Sequence, residues 1–517
     1  MSDTQSNSVG FVRKDFLEPS PPPAREAGAV KWLRENLFSG PVNTILTLLS
    51  IYFLFVLIQG VYPWFANGVW NTSSLSECRQ ILEGANAACF SVLQDRGNQM
   101  LFGIAYPADQ YWRPILAFVL LFVCAVPVLF SQYVPRQTFI ATALYPFFAY
   151  WLIWGGTLWL SIMVLAFIIG AYFLSKVIGS LPDAARSMLG IVVGGLTGLL
   201  LAYWLAIGGL NLWGLAGGFA EGGSVGGMIG AILFYVMAAF VAVTFIPMGI
   251  FTAYAVWQSH ERGFLLTIVT TLAFLILCLT FLAGPISEAL STIVPLLRLE
   301  AVASRDLGGF MLNMILGTVC VSLSIPLGIL LALGRQSSLP FIKGVSVIFI
   351  EFIRGVPLIT LLFVANVVLA YFFPPESNID LVLRVIIMIT MFASAYIAEV
   401  IRGGLAALPR GQYEAGDSLG LDYAQSMRLI ILPQALKISI PGIVNVAVGL
   451  FKDTTLVSVI SMFDLVGAIR GPIASSTDWT GIYWEVFGFA AVLFFIVCYG
   501  ISQYSQWLER QLATDHR

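Results

Sequence analysis

The sequence predicts an all-α polytopic membrane protein with about twelve transmembrane helices, and three observations predict it. Of 517 residues, 58% are hydrophobic and only 10% are charged, against roughly 25% charged in a soluble domain. Mean hydropathy is +0.88. Apolar runs of about 20 residues, the length that crosses a bilayer core, recur along the chain, and 24 of the 26 basic residues fall between them or at their ends. A soluble fold is excluded, because it needs charged surface that this chain lacks. The net charge of −2 at pH 7 leaves no basic face for nucleic acid.

Residues 1–42 are polar and contain Glu18-Pro19-Ser20-Pro21-Pro22-Pro23, which reads as a disordered cytoplasmic lead-in. The first apolar run begins too late for a signal peptide. Spans are expected near 43–62, 113–131, 138–156, 158–177, 187–210, 228–250, 264–283, 309–333, 346–372, 382–403, 438–464 and 482–506. The long apolar stretch 138–177 is divided at Gly155-Gly156. These spans group into an N-terminal extension over 43–157 with a loop at 63–112, Gly-rich helices over 158–300, and a C-terminal stretch over 301–510. In the Gly-rich part, Gly190, Gly194 and Gly198, and likewise Gly222, Gly226 and Gly230, recur every fourth residue and make grooves for close helix packing.

Placing the N-terminus in the cytoplasm puts 17 of the 26 basic residues inside and 7 outside, with Arg354 and Lys452 in spans. That bias follows the positive-inside rule and puts both termini in the cytoplasm. The loop 63–112 is then external, where Cys78 and Cys89 meet oxidising conditions; a disulfide and two free thiols both remain open.

Enzymatic chemistry is excluded on several counts. There is no Gly-Lys dipeptide and hence no phosphate loop, and no His-Glu-x-x-His. His260 and His516 are the only histidines, which argues against a metal site or a cofactor held by this chain. The informative segment is the cytoplasmic loop 402–437. A short helix from about Gln412 carries Glu414 and Asp417 three apart, Gly420 permits a sharp turn, and Pro433 is expected to end a second helix before the next span. A loop of this length and punctuation is built to dock something.

Glu414-Ala415-Gly416, three residues, Gly420, nine residues, then Ile430-x-Leu432-Pro433 resembles the EAA loop of ABC-importer permeases, with Gly416 in place of the second alanine. Phe352-Ile353-Arg354-Gly355-Val356-Pro357-Leu358, Ala398-Glu399-Val400-Ile401-Arg402-Gly403-Gly404 and Phe451-Lys452-Asp453-Thr454-Thr455-Leu456 resemble the polar-amino-acid (histidine/glutamine-type) permeases. Residues about 305–510 match their five-helix, methionine-permease-like type I importer domain. Residues about 40–156, with Cys78-Arg79, Ala88-Cys89 and Trp112-Arg113-Pro114, resemble the N-terminal extension of general L-amino-acid permeases; 158–300 has no counterpart there. The resemblance implies a permease subunit of an ATP-driven importer for L-amino acids in a bacterial inner membrane, working by alternating access. It implies that Glu414, Ala415, Gly416, Gly420, Leu432 and Pro433 couple to an ABC ATPase dimer, which binds ATP and Mg²⁺. A periplasmic amino-acid-binding protein and a second permease, in a heterodimer, are the other implied partners.

Charges inside spans point to the pathway, since they must face a polar interior. Asn445, Lys452 and Thr455 are seven and three apart and share a helical face. Lys452 and Thr455 are read as meeting a substrate carboxylate and Asp453 its ammonium, with Thr454 beside them; structural pairing is the alternative. Glu351 and Arg354, three apart, are read as an ion pair near the cytoplasmic end of their span, with Pro357 kinking the helix in a way that suits a gate. Glu399, near the inner interface, is read as snorkelling or paired with Arg402. The competing classes are an ATP-independent secondary transporter, which predicts inverted repeats, and a non-transporting scaffold or enzyme, for which Glu414 and Gly420 would be dispensable.

Overall fold

The computed structural model describes residues 28–130, 133–180, 278–295, 298–368, 380–473 and 475–512, together with Pro182 and Leu275. The spans expected at 187–210 and 228–250, most of that at 264–283 and the four-residue glycine repeats lie outside the described residues. The chain divides into two compact units, Met1–Ser91 and Val92–Arg517.

In the first unit, α1 (Gly28–Asn36) forms within the stretch expected to be disordered. No proline lies between Pro23 and Pro41, and Lys31 pairs with Glu35 one turn on at 3.9 Å. α2 (Pro41–Ala66) has proline in its first turn and no buried residue, the surface of a helix apolar all round. α3 (Leu75–Ile81) starts at Ser74, whose hydroxyl accepts from the Glu77 amide. Cys78 and Cys89 are joined in a disulfide. Beside it, Phe90 packs against Trp64, Phe65 and Trp70 with ring centroids 5.7, 5.1 and 4.8 Å away. Ser73 donates to the Glu77 carboxylate from both its backbone amide and its hydroxyl, which holds that carboxyl below its ordinary range.

The boundary falls after the first residue of α4 (Ser91–Phe102), and the second unit continues with α5 (Trp112–Leu129) packed on α6 (Phe139–Trp154). The chain turns at Gly155 (φ +73°) and Gly156 (φ +81°), where the long apolar stretch was expected to divide. A Cβ on Gly155 would strike the Glu300 carbonyl, so both the backbone angle and the contact need glycine. Gly156–Thr157 pairs antiparallel with Arg298–Leu299, Gly156 opposite Leu299 and Thr157 opposite Arg298. This two-stranded ribbon brackets α7 (Leu158–Ser180) and α8 (Ala283–Ile293), which pack on each other. Around it, Arg113 donates to the Glu300 carbonyl at 2.8 Å, Gln110 to its carboxylate at 2.5 Å, and Trp154 to Ser304 at 2.7 Å.

The C-terminal region follows as α9 (Gly309–Gln336), α10 (Pro340–Gly355), α11 (Leu358–Phe363), α12 (Leu381–Ala406), α13 (Arg410–Ser418), α14 (Tyr423–Ser426), α15 (Leu432–Asp453), α16 (Leu465–Ala468) and α17 (Trp484–Leu512). Three expectations are corrected here. The stretch 346–372 is not one kinked span: α10 and the helix from Leu358 to Asn366 meet at 103°. Val356 is extended, as a residue before proline prefers, and Pro357 offers no amide to continue the ladder. The span expected at 438–464 is apolar and helical from Tyr423, runs through a π-turn at Met427–Ile431, and ends as a 3-10 segment, Thr454–Ile460. Pro433 therefore does not end a helix; it sits in the first turn of α15, where the preceding π-turn accommodates its missing amide. Among the described residues, seven helices are long and apolar enough to cross a membrane, or eight with the bent pair.

Two apolar cores hold this region. One gathers Leu312 and Leu316 of α9, Leu358 and Leu362 of α11, Val385 and Ile389 of α12, and Leu450, Val457 and Ile460. The other gathers Ala332 of α9, Ile350 of α10, Ile397 and Ile401 of α12, and Met427, Ile431 and Ala435. α9 and α12 run through both, the bent pair gives one arm to each, and a smaller core joins the two arms, with Ile353 of α10 and Leu361 of α11 against Ala395 of α12.

Candidate coupling loop and pathway

The coupling loop is built by local chemistry. Pro409 precedes α13, and Glu414, Ala415 and Asp417 are exposed on it. The helix closes with Leu421 N donating to the Gly416 carbonyl (3.3 Å) and Gly420 N to that of Asp417 (3.0 Å), with Gly420 at φ +71°, a turn that favours glycine. Asp422 and Gln425 then form a capping box that starts α14. Gly416 is buried, and a Cβ there would meet the Ser426 hydroxyl. Gln434 at the start of α15 donates to the Gln412 side chain at 3.0 Å, so α13 is fastened to the next span. Leu432 is partly buried in the second core, and Pro433 is exposed. On the outward side Leu419, Tyr423 and Leu429 stand 72%, 66% and 65% exposed.

Glu351 and Arg354 do not pair with each other, which corrects the sequence reading. Arg335, at the end of α9, donates from one nitrogen to Glu351 at 2.8 Å and to Glu399 at 2.6 Å. Glu399 also accepts from Arg402 at 2.9 Å and lies 3.8 Å from Arg354. Arg335 reads in the sequence only as a loop charge, so its part in this cluster is new. The signal was its place as the one arginine at the inner end of its span.

Lys452 and Asp453 close the α-helical part of α15 instead of lying mid-helix. Asn445 and Lys452 are exposed and Thr455 partly so, with the Thr455 hydroxyl donating to the Lys452 carbonyl at 2.9 Å. Thr454 differs: it is fully buried, and Asn313 of α9 donates to its hydroxyl at 2.9 Å. Asn313 also donates to the buried Asp464 at 3.2 Å and accepts from the Leu465 amide. Asp464 in turn caps α16 through the Val466 and Gly467 amides. Asn313 and Asp464 were missed by sequence reasoning, although an amide inside an apolar run is itself a signal.

Binding-protein-dependent transport system inner membrane components match residues 324–510. The glutamate/glutamine/aspartate/asparagine transport system permease protein BztC of Rhodobacter capsulatus is 44% identical over the full length of both chains. The inner membrane amino-acid ABC transporter permease protein YhdY of Escherichia coli is 30% identical, covering 97% of this chain and 99% of that one. A crystal structure of an amino acid ABC transporter with histidines is 32% identical with a TM-score of 0.36, covering 39% of this chain and 92% of that one. The coupling loop, the five-helix region that carries it and the two full-length likenesses agree, and the chain belongs to the binding-protein-dependent inner membrane components, as a permease of an amino-acid ABC importer.

Proposed function

We propose that this permease carries glutamate, glutamine, aspartate and asparagine, the substrates in the name of its 44% identical relative. The observation that carries the transport mechanism is the coupling loop. Its exposed Glu414 and Ala415, and the neighbouring Leu419, Tyr423 and Leu429, form an acidic and apolar surface on a loop otherwise fastened to the permease. An ABC ATPase dimer, which holds ATP and Mg²⁺, docks there. A periplasmic binding protein delivers the amino acid, and a second permease completes the pathway, since five core helices do not enclose one alone. Both termini are cytoplasmic, and the disulfide loop faces the periplasm of a bacterial inner membrane.

Lys452 meets the substrate carboxylate and Asp453 its ammonium, with Asn445 and Thr455 on the same open side. Glu351, Arg354 and Glu399 belong to the inner gate. Uptake is measured in proteoliposomes holding this chain and its partner permease, with and without the ATPase subunits. ATP-dependent uptake of acidic amino acids and their amides is expected; uptake driven by an ion gradient alone would refute the reading. Lys452→Ala is expected to abolish uptake while assembly and basal ATP hydrolysis persist. Loss of assembly instead would assign Lys452 a structural role.

A further inference from the structure

The Glu399 carboxylate, 16% exposed, joins three helices. One oxygen accepts from Arg335 of α9; the other accepts from Arg402 of its own helix and faces Arg354 of α10. Arg335 reaches on to Glu351 of α10, and the Arg354 guanidinium lies over the Tyr396 ring of α12 at 5.5 Å. Three guanidinium groups thus share two carboxylates at one end of the bent pair. Partial shielding from water makes such pairs stronger than exposed ones while leaving them able to exchange partners.

The position of the cluster matters more than its strength. α13 is fastened through Gln412 to Gln434. Met427 and Ile431, next in the chain, share a core with Ile350 of α10 and with Ile397 and Ile401 of α12. Across the 103° bend, Leu358 and Leu362 of α11 pack in the other core with Leu450, Val457 and Ile460, which flank Lys452 and Asp453. At Val356-Pro357 no helical ladder crosses the bend. Ile353 of α10 and Leu361 of α11 also meet against Ala395 of α12, so a displacement of α13 reaches α11 through this packing and, as a lever motion, through α10 while it is held to α9 and α12.

We propose that Arg335 and Glu399 are positioning residues that lock α10 to α9 and α12, so that movement at the coupling loop is delivered through the bend to the segment carrying Lys452 and Asp453. This rests on the ATP-coupled reading above and adds the transmission path to it. Arg402 serves as an internal control, since it sits on the same helix as Glu399 and joins nothing to it.

The test uses the whole transporter in proteoliposomes, with uptake and ATP hydrolysis measured together. Arg335→Gln and Glu399→Gln are expected to keep hydrolysing ATP while uptake per ATP falls about tenfold, within the roughly 5–150-fold that coupling energies span. The double variant should be no worse than either single one, because each breaks the same lock. Arg402→Gln should leave the ratio within about twofold of the parent, a range small beside that coupling span. The proposal is overturned if Arg335→Gln and Glu399→Gln keep the parent ratio, if Arg402→Gln lowers it equally, or if the first two fail to assemble, which would make the cluster a stability element. Parent uptake indifferent to ATP would instead sink the transport reading itself, whatever the variants do.

Discussion

Gly416 shows how a single residue that looks like a lapse can match a close neighbour. In the sequence it is only a small residue standing where related loops carry alanine. In the fold, the Ser426 hydroxyl occupies the space a Cβ would need. Gly416→Ala is expected to cost about 1–3 kcal/mol by overpacking and to reduce ATP-driven uptake, and Ser426→Ala in the same chain should recover most of both. Thermal unfolding in detergent and an uptake assay check the pair. If Ser426→Ala gives no recovery, the contact is not the reason for glycine. Asn313 is a second case. Asn313→Ala would strip a hydrogen bond from the Leu465 amide, Thr454 and Asp464 at once, and a buried polar group left unpaired costs about 1–3 kcal/mol. A fall in unfolding temperature is expected; an unchanged one would mean that water replaces the amide. The partners of both residues lie far along the chain or on another helix, so periodicity and composition gave no access to them.

At the scale of elements, the apolar runs were legible because hydrocarbon demands them, and their breaks were legible only in part. Gly155-Gly156 and Pro357 both stand out as punctuation in the sequence. That one makes a ribbon and the other a bend of 103° depends on what packs beside them. The helix capped by Asp422 and the π-turn after it ran against a simple reading of Pro433 as a stop, since proline in a first turn breaks nothing. The Cys78–Cys89 bridge is the element with the most direct test. It closes a loop with a sequence separation of 11, for which chain-entropy arguments give about 3 kcal/mol. Replacing both cysteines by serine is expected to make the segment between α2 and α4 sensitive to protease added from the periplasmic side, with little change in the helices of the C-terminal region. Protection equal to that of the parent would show that the Phe90 aromatic cluster suffices alone.

For the whole molecule, the charge bias of 17 inside to 7 outside is a statement about topology, and it is testable as such. Single cysteines at Lys31 and Arg428 are expected to react with a membrane-impermeant thiol reagent only after the cells are opened, and one at Glu83 in intact spheroplasts. The reverse pattern would invert the orientation. The five-helix region and its loop were readable because they repeat a known arrangement of motifs, whereas the wiring between Arg335 and Glu399 needed three helices to be brought together. One feature reaches further than its size. The two-residue strands at 156–157 and 298–299 lie side by side, so whatever the chain does between them, it departs and returns through a single doorway. The intervening stretch is in this sense a cassette, and the rest of the permease need not be rethreaded to lose or exchange it. Joining Thr157 to Arg298 by Asn-Gly, the turn that suits a hairpin of this register, should leave a shortened chain that still inserts and still binds its ATPase.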